Sequence, residues 1–430
     1  MVRGRTVCTA PNETIKMTRA AQVMRTLTVL VGVATVTELG FASSVSAQAN
    51  TDARWITAWG TSQQSLGPTM ITNATVRMIA RVTVGGESVR VRLDNTFGEM
   101  PLVIGEAYIG PVMRGARLTP GSNSQIRFGS SGSVTIPVGG TVTSDPIRMN
   151  VMARQDLAIS LYIPETNVQP SQHSQAYVTS YLSDNGSGNV TSTESSEPFT
   201  GTTTSTVWPK SIDVLTESAT GSIVGFGDSI TDGGCSTLNA HDRWQDWVAV
   251  RLYLASPNAH PAMLNEGISG NTVTSEGLQP PPNSPPGLER LERDVFSHEG
   301  VTHVVLFMGT NDIRREVSAA SLIAGMEEIA ERIRARGLTV IGTTIIPRHN
   351  RAASGTNTGW TPEKSNIRRE VNEWIRNTGS FDSVLDFDAV VRDPDDPDRI
   401  APAFDCDGIH PNPRGYLEMG GSVPLELLTP

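Results

Sequence analysis

The sequence predicts two parts, an all-β sandwich over residues 50–210 and an α/β domain over residues 211–430. Three observations predict them. From residue 55 to about 180, short strand-like stretches recur with turn residues between them and no amphipathic helix pattern. After residue 220 the apolar runs are continuous, as in strands buried on both faces, and helical patterns fall between them. The chain has 430 residues, more than one ordinary core needs.

In the first part, Val89-Arg90-Val91-Arg92-Leu93 alternates strictly, and so does Leu157–Ile163, which stops at Pro164. Gly85-Gly86, between Arg81–Val84 and the run from Ser88, reads as a hairpin turn. Shorter strands are expected around Gln125–Phe128 and Val134–Ile136. Residues 183–206, rich in Ser, Thr, Gly and Asn, read as a long loop or a linker ahead of a boundary near 210.

In the second part, Ile223–Phe226, Thr302–Met308, Leu338–Ile346 and Val384–Phe387 are the expected parallel strands. Trp244, Trp247, Val248 and Leu252 share one helical face; Leu322, Met326, Ile329, Ala330 and Ile333 share another, with Gly337 as a stop. Thr361-Pro362 opens a third helix carrying Ile367, Val371, Trp374 and Ile375. Strand–helix alternation of this kind gives a three-layer α/β/α arrangement, with helices on both faces of the sheet.

Residues 1–49 read as a leader. Arg19 and Arg25 precede an apolar run from Leu27 to Val36, and Ala47-Gln48-Ala49 has the A-x-A form of a signal-peptidase site, with Met17 or Met24 as the functional start. A membrane anchor is disfavoured because the run is shorter than the ~20 residues that span a bilayer. The expected location is therefore secreted or periplasmic. The formal charge is −10, and about −13 once residues 1–49 are removed, with no basic stripe. That disfavours nucleic acid and anionic membranes as partners. Cys8 leaves with the leader. In an exported chain the remaining Cys235 and Cys406 read as a disulfide, with two separate buried thiols as the alternative. No Cys/His cluster has zinc spacing, so no metal or cofactor is expected.

In an open parallel sheet, ligands bind beyond the carboxyl ends of the strands. Three polar loops fall there: Gly227–Gly233, Gly309-Thr310-Asn311-Asp312 and Asp407-Gly408-Ile409-His410. A serine hydroxyl needs an adjacent base to become a nucleophile, and the base needs a carboxylate to orient it. Ser229, His410 and Asp407 supply that set. Donors for an oxyanion come from the N–H of Ser229, the N–H of Gly270 and the amide of Asn311. Asp228, Asp232 and Asp312 are expected to cap backbone amides. The other histidines, His173, His241, His260, His298, His303 and His349, sit at no spacing that pairs them with a carboxylate, and packing or surface roles are expected. Asp393, Asp395, Asp396 and Asp398 read as a solvated loop rather than a calcium loop, because the EF-hand glycine and terminal glutamate are missing. Trp360 either borders the cleft or packs.

With these blocks in place, the sequence resembles the SGNH or GDSL hydrolases, named for Ser, Gly, Asn and His in four blocks. Gly227-Asp228-Ser229-Ile230-Thr231, Ile268-Ser269-Gly270-Asn271, Gly309-Thr310-Asn311-Asp312 and Asp407–Asn412 match them in order, across residues 222 to about 420. The first block has Ile230 where the older motif name has leucine. The G-x-S-x-G elbow of the α/β-hydrolase fold is absent. Trp55–Trp59, Val89–Gly98 and Thr143–Pro146 look like a secreted bacterial subgroup with a β-domain ahead of the hydrolase domain. That layout is similar to carbohydrate esterases carrying a jelly-roll module. The resemblance implies a carboxylic-ester hydrolase acting on a small-molecule or glycan ester. The open alternatives are a glycan deacetylase, a lipase or phospholipase, and a carbohydrate-binding protein with a vestigial hydrolase fold.

Overall fold

The computed structural model describes residues 53–276, 278, 284–350 and 359–429. The leader-like segment 1–49 and most of the loop before Trp360 lie outside the described residues. Residues 51–430 form one compact unit.

The N-terminal strands build antiparallel sheets. In one, β1 (Arg54–Gly60) and β3 (Gly86–Asp94) flank β6 (Pro209–Thr216). In the other, β2 (Ala74–Arg81) and β4 (Glu106–Arg114) flank β5 (Asp156–Ile163). The facing sides share one apolar cluster: Val76 and Met78, Val89 and Val91, Ile159 and Leu161, Ile212 and Val214. Alternation in β3 and β5 thus marks the face turned to that core.

Gly85-Gly86 does not make the expected hairpin. The strands on either side join different sheets, β2 with β5 and β3 with β6. The glycines are there for close approach. A Cβ on Gly86 would sit 2.4 Å from Leu215 O, and one on Gly85 2.6 Å from Val151 O. Segment 183–206 is no free linker either. Glu194 accepts the amides of Gly121, Ser122 and Asn123, and Thr193 O accepts from the buried Arg77.

The chain passes from antiparallel to parallel pairing between Thr216 and Ala219. The parallel sheet runs β8 (His260–Gly267), β7 (Ala219–Gly227), β9 (Val301–Phe307), β10 (Thr339–Thr343), β11 (Ser383–Leu385). Neighbouring residues go to opposite faces. Val304, Leu306 and Val340 meet α5 (Ala319–Arg334) and α6 (Pro362–Asn377) in one cluster. Val305, Phe307 and Ile341 meet α2 (Trp244–Ala255), α7 (Phe387–Val391) and α8 (Pro413–Ser422) in another. Helices therefore cover both faces.

Two strand expectations shift. The run Val384–Phe387 breaks at Asp386, whose carboxylate caps α7. β8 carries too few apolar residues to be read as a buried strand. It is an edge strand, and its Met263 amide donates to Thr83 Oγ1 of the N-terminal part.

Candidate active site

The Gly227–Gly233 block is a sharp turn after a buried strand. β7 ends at Gly227, where a Cβ would lie 2.2 Å from Thr231 Oγ1 and 2.5 Å from Phe307 O. Asp228 then caps the single turn α1 (Ser229–Asp232), its Oδ1 accepting the Ile230 amide at 3.0 Å. Ser229 is the first residue of that turn. Gly233 ends it with φ +112°, a conformation that favours glycine.

The Asp407–His410 block comes from the segment before α8. Asp407 Oδ1 accepts the amides of Ile409 and His410, at 3.0 and 2.8 Å. Its Oδ2 lies 2.8 Å from His410 Nδ1, and His410 Nε2 lies 2.9 Å from Ser229 Oγ. A carboxylate only accepts, so Nδ1 carries the proton and Nε2 of the neutral ring accepts from the hydroxyl. Gly234 lets the ring in, since a Cβ there would stand 2.5 Å from His410 Cδ2. Partial burial raises the Asp407 carboxyl, but the hydrogen bond and charge of His410 and the two amides outweigh it and hold it at about 2. Cys235 and Cys406 are at disulfide distance, with sulfurs 2.25 Å and Cα atoms 6.5 Å apart, and so join the loop after Ser229 to the loop of Asp407 and His410.

Gly270 has φ +78° and open space where a Cβ would stand, so it is the backbone conformation that favours glycine there. Asn311 lies on the short helix α4 (Thr310–Arg314), and its Nδ2 donates to Asn271 O at 3.0 Å. That bond uses one amide proton and leaves the other for the cleft. Ser229, Gly270, Asn311 and His410 line one open cleft of about 460 Å³. Cys235, Asp407 and His410 also offer atoms within 4.8 Å of one another, but the sulfur is at disulfide distance from Cys406 and does not fit a metal ligand.

Behind the cleft, the helix α3 (Gly287–Leu291) contributes the buried Arg290. Its guanidinium donates to Gly227 O at 2.8 Å, Glu266 O at 2.9 Å, Asn271 Oδ1 at 3.0 Å and Ser62 Oγ at 3.0 Å. One side chain thus holds the ends of β7 and β8 and the residue that orients Asn311. Asp294 pairs with Arg290 and with the buried Lys210 of β6.

The other carboxylates hold backbone. Asp312 accepts the Val273 and Thr274 amides, and burial outweighs them to push its carboxyl up to about 7. Burial likewise pushes Asp228 up to about 6. Asp232 accepts the Ser269 amide and hydroxyl through Oδ2. In the acidic loop, Asp393 and Asp396 cap their own turn while Asp398 pairs with Arg368 and Arg369. Trp360 packs, donating Nε1 to Ser365 Oγ.

The histidines correct an expectation. His173 pairs with Asp232 at 3.1 Å, His298 with Glu266 at 2.7 Å, and His349 with Asp405 at 3.3 Å; His241 approaches Asp156 at 3.8 Å. Each pair is remote in sequence, so spacing carried no sign of it. Burial would lower His173, but the charge and hydrogen bond of Asp232 with Ser62 O raise it. Sequence reasoning also missed Gln175, Tyr177, Arg314 and Arg348, which line the cleft. Only Arg314 had a signal, three residues after Asn311 on one helix.

Residues 226–417 match the model of a family described as the GDSL-like Lipase/Acylhydrolase family. No curated protein matches. The chain is similar to a solved putative lipolytic protein of the G-D-S-L family from Desulfitobacterium hafniense, at 20% identity, covering 48% of this chain and 97% of that one, TM-score 0.35. It is similar to a solved carbohydrate acetylesterase from Sinorhizobium meliloti, at 18% identity, covering 46% and 94%, TM-score 0.37. Among the described residues no helix is long and apolar enough to cross a membrane. The turn at Ser229, the facing His410 and Asp407, and the match across residues 226–417 identify this part of the chain as a GDSL-like lipase/acylhydrolase domain.

Proposed function

We propose that the protein is an exported serine esterase acting on short-chain acyl or acetyl esters. The observation that carries this reading is the Ser229–His410–Asp407 relay, with Oγ to Nε2 at 2.9 Å and Nδ1 to Oδ2 at 2.8 Å. Ser229 Oγ attacks the ester carbonyl as His410 Nε2 takes its proton. Asp407 stabilises the imidazolium. The N–H groups of Ser229 and Gly270 and the free proton of Asn311 Nδ2 bind the oxyanion. His410 protonates the leaving alcohol, and water repeats the sequence on the acyl-enzyme. The relay needs no cofactor.

The cleft supports a short acyl group. Among the described residues that line it, Ile409 is the one aliphatic side chain, and a long acyl chain needs an apolar groove. The antiparallel part is read as a jelly-roll-like sandwich, supported by the single core its two sheets share. Export is supported by the A-x-A site at Ala47–Ala49 and the Cys235–Cys406 pair.

Fluorophosphonate labelling tests the reading, because only an activated serine reacts. Labelling at Ser229, with hydrolysis of p-nitrophenyl acetate, is expected. An unlabelled, inactive folded protein would leave the vestigial, binding-only alternative.

A further inference from the structure

Arg348 lies on the segment that leads from β10 toward α6 and lines the cleft with Ser229 and Asn311. It is 3% exposed. Three other buried arginines are held by ion pairs or by several acceptors. Arg290 pairs with Asp294, Arg368 pairs with Asp388, and Arg77 donates to Ser160 Oγ, Ala116 O and Thr193 O. Arg348 differs. Its Nε donates to Asn350 Oδ1 at 2.8 Å, and its guanidinium lies 5.4 Å from the Trp360 ring. Among the described residues its remaining N–H groups have no acceptor, and it forms no ion pair. A desolvated guanidinium with unused donors facing a cleft is suited to a planar anion, which it can grip with two parallel bonds.

The surroundings point the same way. Arg314, one turn after Asn311, lines the same cleft, and the adjacent Arg315 donates to Gly270 O at 3.3 Å. The carboxylates that act on Arg348 are Asp228 and Asp407. Asp407 is engaged by His410, and Asp228 is buried beneath the nucleophile turn with its Oδ1 on the Ile230 amide. Burial lowers Arg348 to about 10, which leaves it cationic at neutral pH. The whole chain carries −10, so arginines gathered at this one cleft set its local field against that of the molecule.

We propose that the cleft selects an anionic ester, one bearing a carboxylate a few bonds from its scissile group, and that Arg348, with Arg314 beside it, receives that carboxylate. The proposal rests on the serine-esterase reading. It adds a substrate charge that the triad does not require.

Two substrate pairs test it on the purified full-length protein. Charge on the acyl side is probed by p-nitrophenyl hydrogen glutarate against p-nitrophenyl valerate. Charge on the alcohol side is probed by para-acetoxybenzoate against para-acetoxybenzamide. On at least one arm kcat/KM is expected to favour the anion by about tenfold or more, as one charge-assisted hydrogen bond supplies. That ratio is expected to shrink as salt rises, and to collapse toward unity in Arg348→Met. Should Arg348→Met fail to fold, Arg314→Gln and the salt series on the wild type carry the test. Turnover of the neutral esters with a wild-type ratio at or below one on both arms overturns the proposal and leaves the esterase standing. No turnover of any ester, with Ser229 unlabelled by fluorophosphonate, removes the esterase reading and the proposal with it.

Discussion

Among the described residues, two of the sets of serine, carboxylate and histidine are wired in opposite order. In the cleft the histidine is central: Ser229 Oγ to His410 Nε2, His410 Nδ1 to Asp407. Under the N-terminal part the carboxylate is central. Ser62 Oγ donates to Glu266 Oε2 at 2.6 Å, and His298 Nε2 meets Glu266 Oε1 at 2.7 Å. The difference lies in order and access. A serine facing a histidine has a base; a serine facing a carboxylate that accepts its hydrogen has a tether. The Glu266 and His298 side chains are fully buried, whereas those of Asp407 and His410 are 43% and 17% exposed. The first set lines the open cleft, and the second ties the segment after β1 to β8.

The sharpest way to break this contrast is to remove each serine. Ser229→Ala is expected to cost on the order of 10⁴-fold or more in kcat, since triad members act as a unit. Ser62→Ala is expected to leave kcat within about tenfold and to lower Tm instead, because it strips a hydrogen bond from a buried acid. Rates on p-nitrophenyl acetate beside thermal melts check both, and comparable loss of kcat in the two variants would undo the distinction. Next in size, Asn311→Ala is expected to cost roughly 10²–10³-fold in kcat, as for one oxyanion donor, with KM little changed.

The two sets also divide what a sequence can convey. His410 and Asp407 lie three residues apart on one loop, so their pairing is local and legible. Ser229, Gly270 and Asn311 each follow a strand of the parallel sheet, and continuous apolar runs or short motifs marked those turns. Glu266 and His298 are 32 residues apart, and Ser62 and Glu266 204 apart, so only the folded chain joins them. β8 was illegible for the same cause: its His260, Asn265 and Glu266 suit an edge strand whose polar neighbours come from elsewhere. Gly85-Gly86 misled because close approach and a tight turn both call for glycine.

Breaking the buried set should act on stability. Glu266→Ala leaves Ser62 Oγ and His298 Nε2 without their acceptor, and each buried group left unsatisfied costs about 1–3 kcal/mol. A lowered Tm with near-normal kcat at low temperature is expected; loss of turnover in a variant as stable as wild type would contradict it. The cleft set has its own brace. Cys235 and Cys406 close a separation of 171 residues, and their replacement by serine is expected to cost about 2–4 kcal/mol in denaturant unfolding. Unchanged unfolding, with both thiols found free in the wild type, would remove that brace.

The smallest expected effect is a pH slope, and it separates the carboxylates beside the two sets. Glu266 has both oxygens engaged, while Asp228 has Oδ1 on one amide and Oδ2 buried without a partner. Burial is what raises Asp228 from 3.8 to about 6. A folded value above the unfolded one means the native state holds the proton more tightly. The stability it contributes is therefore complete below 3.8 and is lost as pH rises through about 6. Asp312, raised to about 7, acts in the same sense over a slightly higher window. Asp407, lowered to about 2, acts oppositely: its contribution is present above 3.8 and disappears as pH falls toward 2. Asp228→Asn removes one of the first two ionisations and keeps a carbonyl oxygen for the Ile230 amide. Between pH 4 and 8 its Tm is expected to fall less steeply than that of wild type, by the equivalent of about 1–3 kcal/mol. Parallel slopes in the two proteins would mean that Asp228 stays ionised throughout and that its unpartnered oxygen is stabilised by the charge of Arg348.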